Sequence, residues 1–169
     1  LYEQREKELS QIRVILPRHE QGGAFAAGGY ARATGKPGVC MATSGPGATN
    51  LLTGICCSYY DSVPLLCLTG QVSTFRLKRD TGVRQLGFQE TDVVDIFKPV
   101  TKYCIQLQDP LRIRYELEKA VFMAKTGRPG PVLIDIPDNL QRAQIDPDKI
   151  EGLVPHLQAG ASKPLESSL

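Results

Sequence analysis

The run Gly38-Val39-Cys40-Met41-Ala42-Thr43-Ser44-Gly45-Pro46-Gly47-Ala48-Thr49-Asn50 passes from apolar residues through a glycine-rich turn into a helix start. Residues 38–42 read as a strand. Pro46 suits a first helical position, where its missing N–H leaves no bond unmade and its fixed φ is already helical. Beyond it Leu51, Leu52, Ile55, Cys56 and Tyr59 recur at helical spacing as far as Asp61, and residues 64–69 resume as a second apolar strand. A strand, a helix and another strand imply parallel pairing through a right-handed crossover, with a ligand crevice at the carboxyl ends of the strands.

The same alternation extends in both directions. Downstream, residues 92–97 read as a short helix and residues 100–107 alternate as a strand. Residues 110–126 form a helix opened by Asp109 and closed by Gly127, and residues 132–136 are a continuous apolar strand of the kind buried on both faces. Upstream, residues 20–34 are an Ala-rich helix that stops at Gly35-Lys36-Pro37. Residues 12–16 read as an interior apolar strand ended by Pro17, and residues 1–11 as a charged amphipathic helix. Residues 70–89 are polar, Gly-containing and basic from Arg76 to Arg84, which predicts a long functional loop. The tail beyond Gln141 is rich in Pro, Gly and Ser near its end and reads as a linker. The expected fold is α/β, one open parallel sheet with helices on both faces.

Composition narrows the function classes. The 169 residues, 41% hydrophobic and 22% charged, suit one globular domain. A net charge of +2 from 20 basic and 18 acidic residues mixed along the chain offers no field to gather nucleic acid or an anionic membrane, so neither is an expected partner. The longest apolar run, residues 63–69, is too short to span a bilayer, and residues 1–11 carry no signal-peptide core. Cys40, Cys56, Cys57, Cys67 and Cys104 lack metal-ligand spacing and read as buried thiols of a reducing compartment, the cytosol by default or else an organelle matrix.

Two strand-to-helix turns carry candidate chemistry. In His19-Glu20-Gln21-Gly22-Gly23, Glu20 stands at the carboxyl edge of the sheet; locally it is either an acid complementing the helix dipole or a functional carboxyl group. Gly23 stands where a His-Glu-x-x-His zinc motif needs its second histidine, and the other histidine is the distant His156, so no metal site is expected. In Thr43-Ser44-Gly45-Pro46-Gly47-Ala48-Thr49-Asn50 the glycines let a ligand approach the backbone, and the helix start offers free amides. The turn misses the third glycine of the dinucleotide fingerprint and has no phosphate-binding lysine, so a tight, well-capped turn is the competing reading.

Taken together, these turns resemble the pyrimidine-binding domain of acetolactate synthases and related thiamine-diphosphate enzymes, in which a His-Glu-Gln-Gly turn precedes a Gly-Tyr-Ala-Arg helix. Here that helix ends in Gly29-Tyr30-Ala31-Arg32. The likeness continues in order through Ala33-Thr34-Gly35-Lys36-Pro37-Gly38-Val39, the turn at 43–50, Asp61-Ser62-Val63-Pro64, Thr69-Gly70-Gln71-Val72, Phe88-Gln89-Glu90, Thr101-Lys102 and Gly127-Arg128-Pro129-Gly130-Pro131-Val132. It implies the thiamine-diphosphate pyrimidine-domain fold over residues 1–141, N-terminally truncated because an opening strand and glycine-rich loop are missing, with residues 142–169 as a linker or tail.

For the site, the resemblance implies that Glu20 is catalytic and hydrogen-bonds a ring nitrogen of the aminopyrimidine, favouring the imino tautomer that removes the thiazolium proton. The carbanion then adds to a 2-oxo acid, pyruvate by default, carbon dioxide leaves, and the product attacks a second oxo acid. A mostly apolar crevice would raise the proton affinity of Glu20 by desolvation. Glu20, Thr43, Pro46, Asn50 and Gln89 are implied to bind the cofactor, Phe88 and Gln89 to face the substrate, and Lys102 to stand near the substrate entrance unless it is a plain surface lysine. Thiamine diphosphate would be held with magnesium through a Gly-Asp-Gly domain, and no Gly-Asp-Gly occurs in these residues, so the chain is expected to be a fragment that is inactive alone. FAD is an option in the full-length enzyme. A homo-oligomer, dimer or tetramer, is expected, with the apolar helix at 51–60 exposed for pairing.

The chain departs from the family pattern at Gly28, where an acid is usual, at Phe25, where His or Met is common, and in a longer, more basic loop carrying Arg76, Lys78, Arg79 and Arg84. The loop keeps open a related decarboxylase such as oxalyl-coenzyme A decarboxylase or a surface-sugar biosynthetic relative. A noncatalytic interaction or regulatory domain is the reading from another class.

Overall fold

The computed structural model describes residues 12–154; the helix expected at 1–11 and the tail from 155 onward lie outside the described residues. Helix α1, Glu20–Thr34, begins where the His19 ring accepts a hydrogen bond from the Gln21 amide (3.2 Å) and ends where Gly35, at φ 69°, turns its amide back to the Ala31 carbonyl. Strand β1 is Gly38–Ala42, α2 is Pro46–Asn50, α3 is Leu52–Tyr60 and β2 is Leu65–Gln71. After the loop come α4 at Val93–Phe97, β3 at Tyr103–Gln106, α5 at Ile113–Lys125, β4 at Val132–Pro137 and α6 at Asp138–Gln141. The helix expected from Pro46 is interrupted at Leu51, whose amide bonds back to Ala48, a tighter turn than an α-helix makes.

The four strands lie in the order β1-β2-β4-β3 and every neighbouring pair is parallel, with Gly38 opposite Leu65, Leu66 opposite Val132 and Tyr103 opposite Val132. Helices cover both faces, as expected. On one face α1, α3 and α4 bury Ala24, Leu51, Ile55, Val93 and Phe97 against Leu65, Cys67 and Leu133. On the other, α5 buries Ala120 and Ala124 against Leu66, Val132 and Ile134. Each large side chain so removed from water contributes about 1.5–3 kcal/mol. The small residues of α1 permit its close approach to the sheet: a Cβ on Gly38 would stand 2.1 Å from the Ala27 carbonyl oxygen. Because α5 packs on β4, β2 and β3, the second face of β1 is left open and Val39 and Met41 are exposed.

Two expectations fail. Residues 12–16 form no strand; no described residue pairs with them, and Ile15 and Leu16 are 73% and 75% exposed. An apolar run alone does not make a strand, since its backbone groups need a ladder partner. The helix at 51–60 is also not an exposed apolar surface: Leu51 and Ile55 are buried beneath α1, leaving Tyr60 as its exposed large apolar side chain. No helix among the described residues is long and apolar enough to cross a membrane.

Candidate functional site

Because α1 runs antiparallel to β1, its first residue returns to the carboxyl edge of the sheet and meets the turn that leaves β1. The Glu20 carboxylate there accepts a hydrogen bond from the Asn50 side-chain amide, Nδ2 to Oε2 at 3.0 Å. Gly47 lies beside the other carboxylate oxygen; an added Cβ there would stand 2.6 Å from the Thr43 methyl and 3.4 Å from Glu20 Oε1. The turn is closed by the Thr49 amide bonding to the Gly45 carbonyl (3.0 Å). Gly45 itself sits at φ 62°, ψ −121°, a conformation that side-chain-bearing residues avoid.

Gln89 reaches this turn from the loop between β2 and α4. It holds φ 60°, and its Cβ and carbonyl oxygen would both lie 2.8 Å from a Cβ on Gly45. Glu20, the turn with Thr43, Pro46 and Asn50, and Gln89 are therefore brought together from three separate segments. Thr43 and Pro46 are exposed, while Asn50 and Gln89 are half-buried.

Beside the turn, on the α5 side of the sheet, a hollow of about 790 Å³ is lined by Thr43, Ser44, Ser73, Arg76, Phe88 and Leu140 among others. Glu20 and Asn50 are not in its lining; they stand on the α1 side, so the turn separates the carboxylate from the hollow and contributes to both. Phe88 is 85% exposed at the hollow's mouth.

Lys102 is not part of this assembly. It precedes β3, at the amino edge of the sheet, where its ammonium donates to the Met123 and Thr126 carbonyls at the end of α5. Burial holds its pKa below the usual lysine value. Lys102 thus stands at the carboxyl end of a helix, where orphan carbonyls seek a cation, apart from Glu20 and Gln89.

The electrostatics of Glu20 also reverse an expectation. The Asn50 amide, and then the residue's own backbone N–H, hold its carboxyl below the ordinary glutamate pKa; desolvation opposes them and loses. The carboxylate is half-buried, too open for burial to dominate. The neighbouring His19 is occupied as the helix cap. No group of three or more metal-ligating side chains occurs among the described residues.

Two acids escaped sequence reasoning. Asp135 is fully buried in β4 and accepts from Thr69 Oγ1 (2.7 Å), Gln71 Nε2 (3.1 Å) and Gln106 Nε2 (3.0 Å). Burial raises its pKa against the pull of these donors. A lone acid inside Val132-Leu133-Ile134-Asp135-Ile136 was the available signal. Glu90, 7% exposed, gathers backbone amides of the preceding loop.

Residues 1–96 match the family described as "Thiamine pyrophosphate enzyme, N-terminal TPP binding domain". The chain is 46% identical over 160 residues to the chloroplastic acetolactate synthase of Arabidopsis thaliana, a match covering 94% of this chain and 23% of that protein. It is 49% identical over 142 residues to the acetolactate synthase of Arthrospira platensis, covering 84% of this chain and 24% of that protein. To the acetolactate synthase large subunit of Corynebacterium glutamicum it is 48% identical over 145 residues, covering 84% and 22%. The chain thus spans about a quarter of the length of the curated relatives it matches. With an all-parallel sheet presenting Glu20 to the turn at 43–50, the chain belongs to the thiamine pyrophosphate enzymes, as an N-terminal TPP binding domain of the acetolactate synthase type.

Proposed function

We propose that residues 1–141 serve as the pyrimidine-binding domain of an acetolactate synthase-like enzyme that decarboxylates a 2-oxo acid such as pyruvate and joins the remainder to a second oxo acid. Residues 142–169 lead out of the domain as a linker. The observation that carries this reading is the Glu20 carboxylate, one oxygen held by Asn50 and the other lying above the Cβ-free backbone of Gly47.

These residues fit an aminopyrimidine ring. A carboxylate whose pKa lies below the ordinary value is ionised at neutral pH and accepts a hydrogen bond from a protonated ring nitrogen. When bound, thiamine diphosphate supplies the electron sink that lets the carboxylate of a 2-oxo acid leave as carbon dioxide. Glu20 holds the proton at the ring nitrogen, and Asn50 fixes the carboxylate plane. Thr43 and Pro46 flank the ring, while Gln89 and Phe88 face the substrate from the β2–α4 loop. In this reading magnesium and the diphosphate are held by another domain, so this chain does not turn over alone, and the working enzyme is a homo-oligomer, with FAD an optional further cofactor.

The test is Glu20→Gln in the full-length protein. Exchange of the thiazolium C2 proton for deuterium is expected to fall by roughly 100-fold or more, the size of a lost general acid–base contribution, with the circular dichroism spectrum unchanged. Exchange at the wild-type rate would end this assignment of Glu20.

A further inference from the structure

The loop from β2 to α4 has little apolar material to hold it. Residues 79–86 are exposed throughout, yet beyond Gly87 the residues Phe88 and Gln89 sit at the hollow and against the Gly45 turn. Gln89 keeps a left-handed φ of 60°, which a residue other than glycine retains only when its surroundings impose it. Something polar must therefore fix this segment.

The neighbouring acid meets that need. Glu90 Oε1 accepts the Lys78 amide at 2.6 Å, and Oε2 accepts the amides of Leu86 (2.8 Å) and Gly87 (3.2 Å). One carboxylate thus ties Lys78 to Leu86 and Gly87, the two ends of the exposed segment. Within the loop the Gln85 side chain donates to the Glu90 carbonyl (3.2 Å), and Gln71 at the end of β2 seats the knot on the sheet, donating to the Thr91 carbonyl (2.8 Å) as well as to buried Asp135 (3.1 Å). Lys78 adds an ion pair to Asp92 at 2.5 Å. Burial pushes the Glu90 pKa up, but the three amides together pull it below the ordinary value, so the group is charged at neutral pH and its amide bonds are charge-assisted.

We infer that Glu90 is a positioning residue for the reaction: by gathering both ends of the 78–87 segment on one carboxylate, it sets Phe88 and Gln89 against the Gly45 turn and toward the hollow. Glu90 touches neither cofactor nor substrate. The inference rests on the proposed roles of Phe88 and Gln89, and it goes beyond them by naming what holds them.

The experiment compares Glu90→Gln and Glu90→Asp with wild type. Glutamine keeps one acceptor oxygen and points an amide group at a backbone donor; aspartate keeps both oxygens but draws them back by one methylene. In the present chain, tryptic cleavage after Arg79 and Arg84 is expected to rise about tenfold in Glu90→Gln and less in Glu90→Asp, as the local opening becomes easier. In the full-length protein, KM for pyruvate is expected to rise tenfold or more, since a displacement of about 1 Å in a positioning group can cost 100-fold. C2 proton exchange, which reports Glu20, is expected to stay within about twofold of wild type. Faster cleavage with unchanged KM and kcat would overturn the inference, leaving Glu90 as loop architecture only. Unchanged cleavage in both variants would overturn it as well. Neither result touches the Glu20 assignment, which stands or falls on proton exchange in Glu20→Gln.

Discussion

Replacing Gly45 with alanine tests the contact that joins the β2–α4 loop to the turn at 43–50. Two separable penalties are expected. The backbone at φ 62°, ψ −121° is strained for any L side chain, on the order of 1–3 kcal/mol. The new Cβ would also meet the Gln89 Cβ and carbonyl oxygen at 2.8 Å, a backbone clash that side-chain rotation cannot relieve, worth about 1–3 kcal/mol more. Gly82→Ala is the matched control, because Gly82 has φ 77° with nothing within 4 Å of an added Cβ and so carries the strain without the clash. With a denaturant slope of roughly 2 kcal/mol per molar urea, Gly45→Ala should unfold roughly 0.5–1.5 M earlier than Gly82→Ala. Urea titration followed by circular dichroism measures the difference. Midpoints that coincide within about 0.2 M would refute the packing of Gln89 on the turn, and with it the claim that this loop belongs to the site.

Two further predictions concern groups that hold the sheet together. Folding raises the Asp135 pKa above its ordinary 3.8, so the native state binds the proton more tightly than the unfolded chain. The contribution of Asp135 to stability is then greatest below that ordinary value and declines as pH rises toward the folded pKa. Asp135→Asn should therefore destabilise less at about pH 7 than at about pH 4, and urea midpoints showing the opposite trend would contradict this linkage. Lys102→Met leaves the Met123 and Thr126 carbonyls without their donor and should lower stability by about 1–3 kcal/mol while leaving thiamine diphosphate affinity, measured by calorimetry on the full-length protein, unchanged. A weakened affinity at unchanged stability would restore Lys102 to the site.

How far the sequence reveals this molecule depends on whether the deciding forces are local. Helix α1 was legible to the residue because its alanines and the Gly35-Lys36-Pro37 stop are near neighbours in the chain, while the His19 cap emerged only from the structure. Strands β2 and β4 were legible because central parallel strands are apolar on both faces. Residues 12–16 read the same way and are not a strand, since pairing is a long-range event that composition cannot report. The position of Lys102 was not legible for a related reason: a motif gives residue order, while the edge of the sheet on which a side chain emerges depends on strand direction. It lies before a strand, and in this fold ligands gather after strands.

The acids at the carboxyl edge show a sharper physical distinction between architecture and chemistry. Asp135 is enclosed by three side-chain donors, and Glu90 by three backbone amides. In each, the acceptor positions are largely committed to the protein, and moving the group would leave buried donors unmet. Glu20 accepts one side-chain donor, from Asn50, and is only half-buried. Sequence reasoning expected desolvation to single Glu20 out, yet desolvation prevails at Asp135 and loses at Glu20. A shifted pKa therefore does not single out Glu20 among these three acids. What sets Glu20 apart is a carboxylate oxygen beside the Cβ-free backbone of Gly47, where the start of α1 meets the turn at 43–50, and its proposed role rests on that feature.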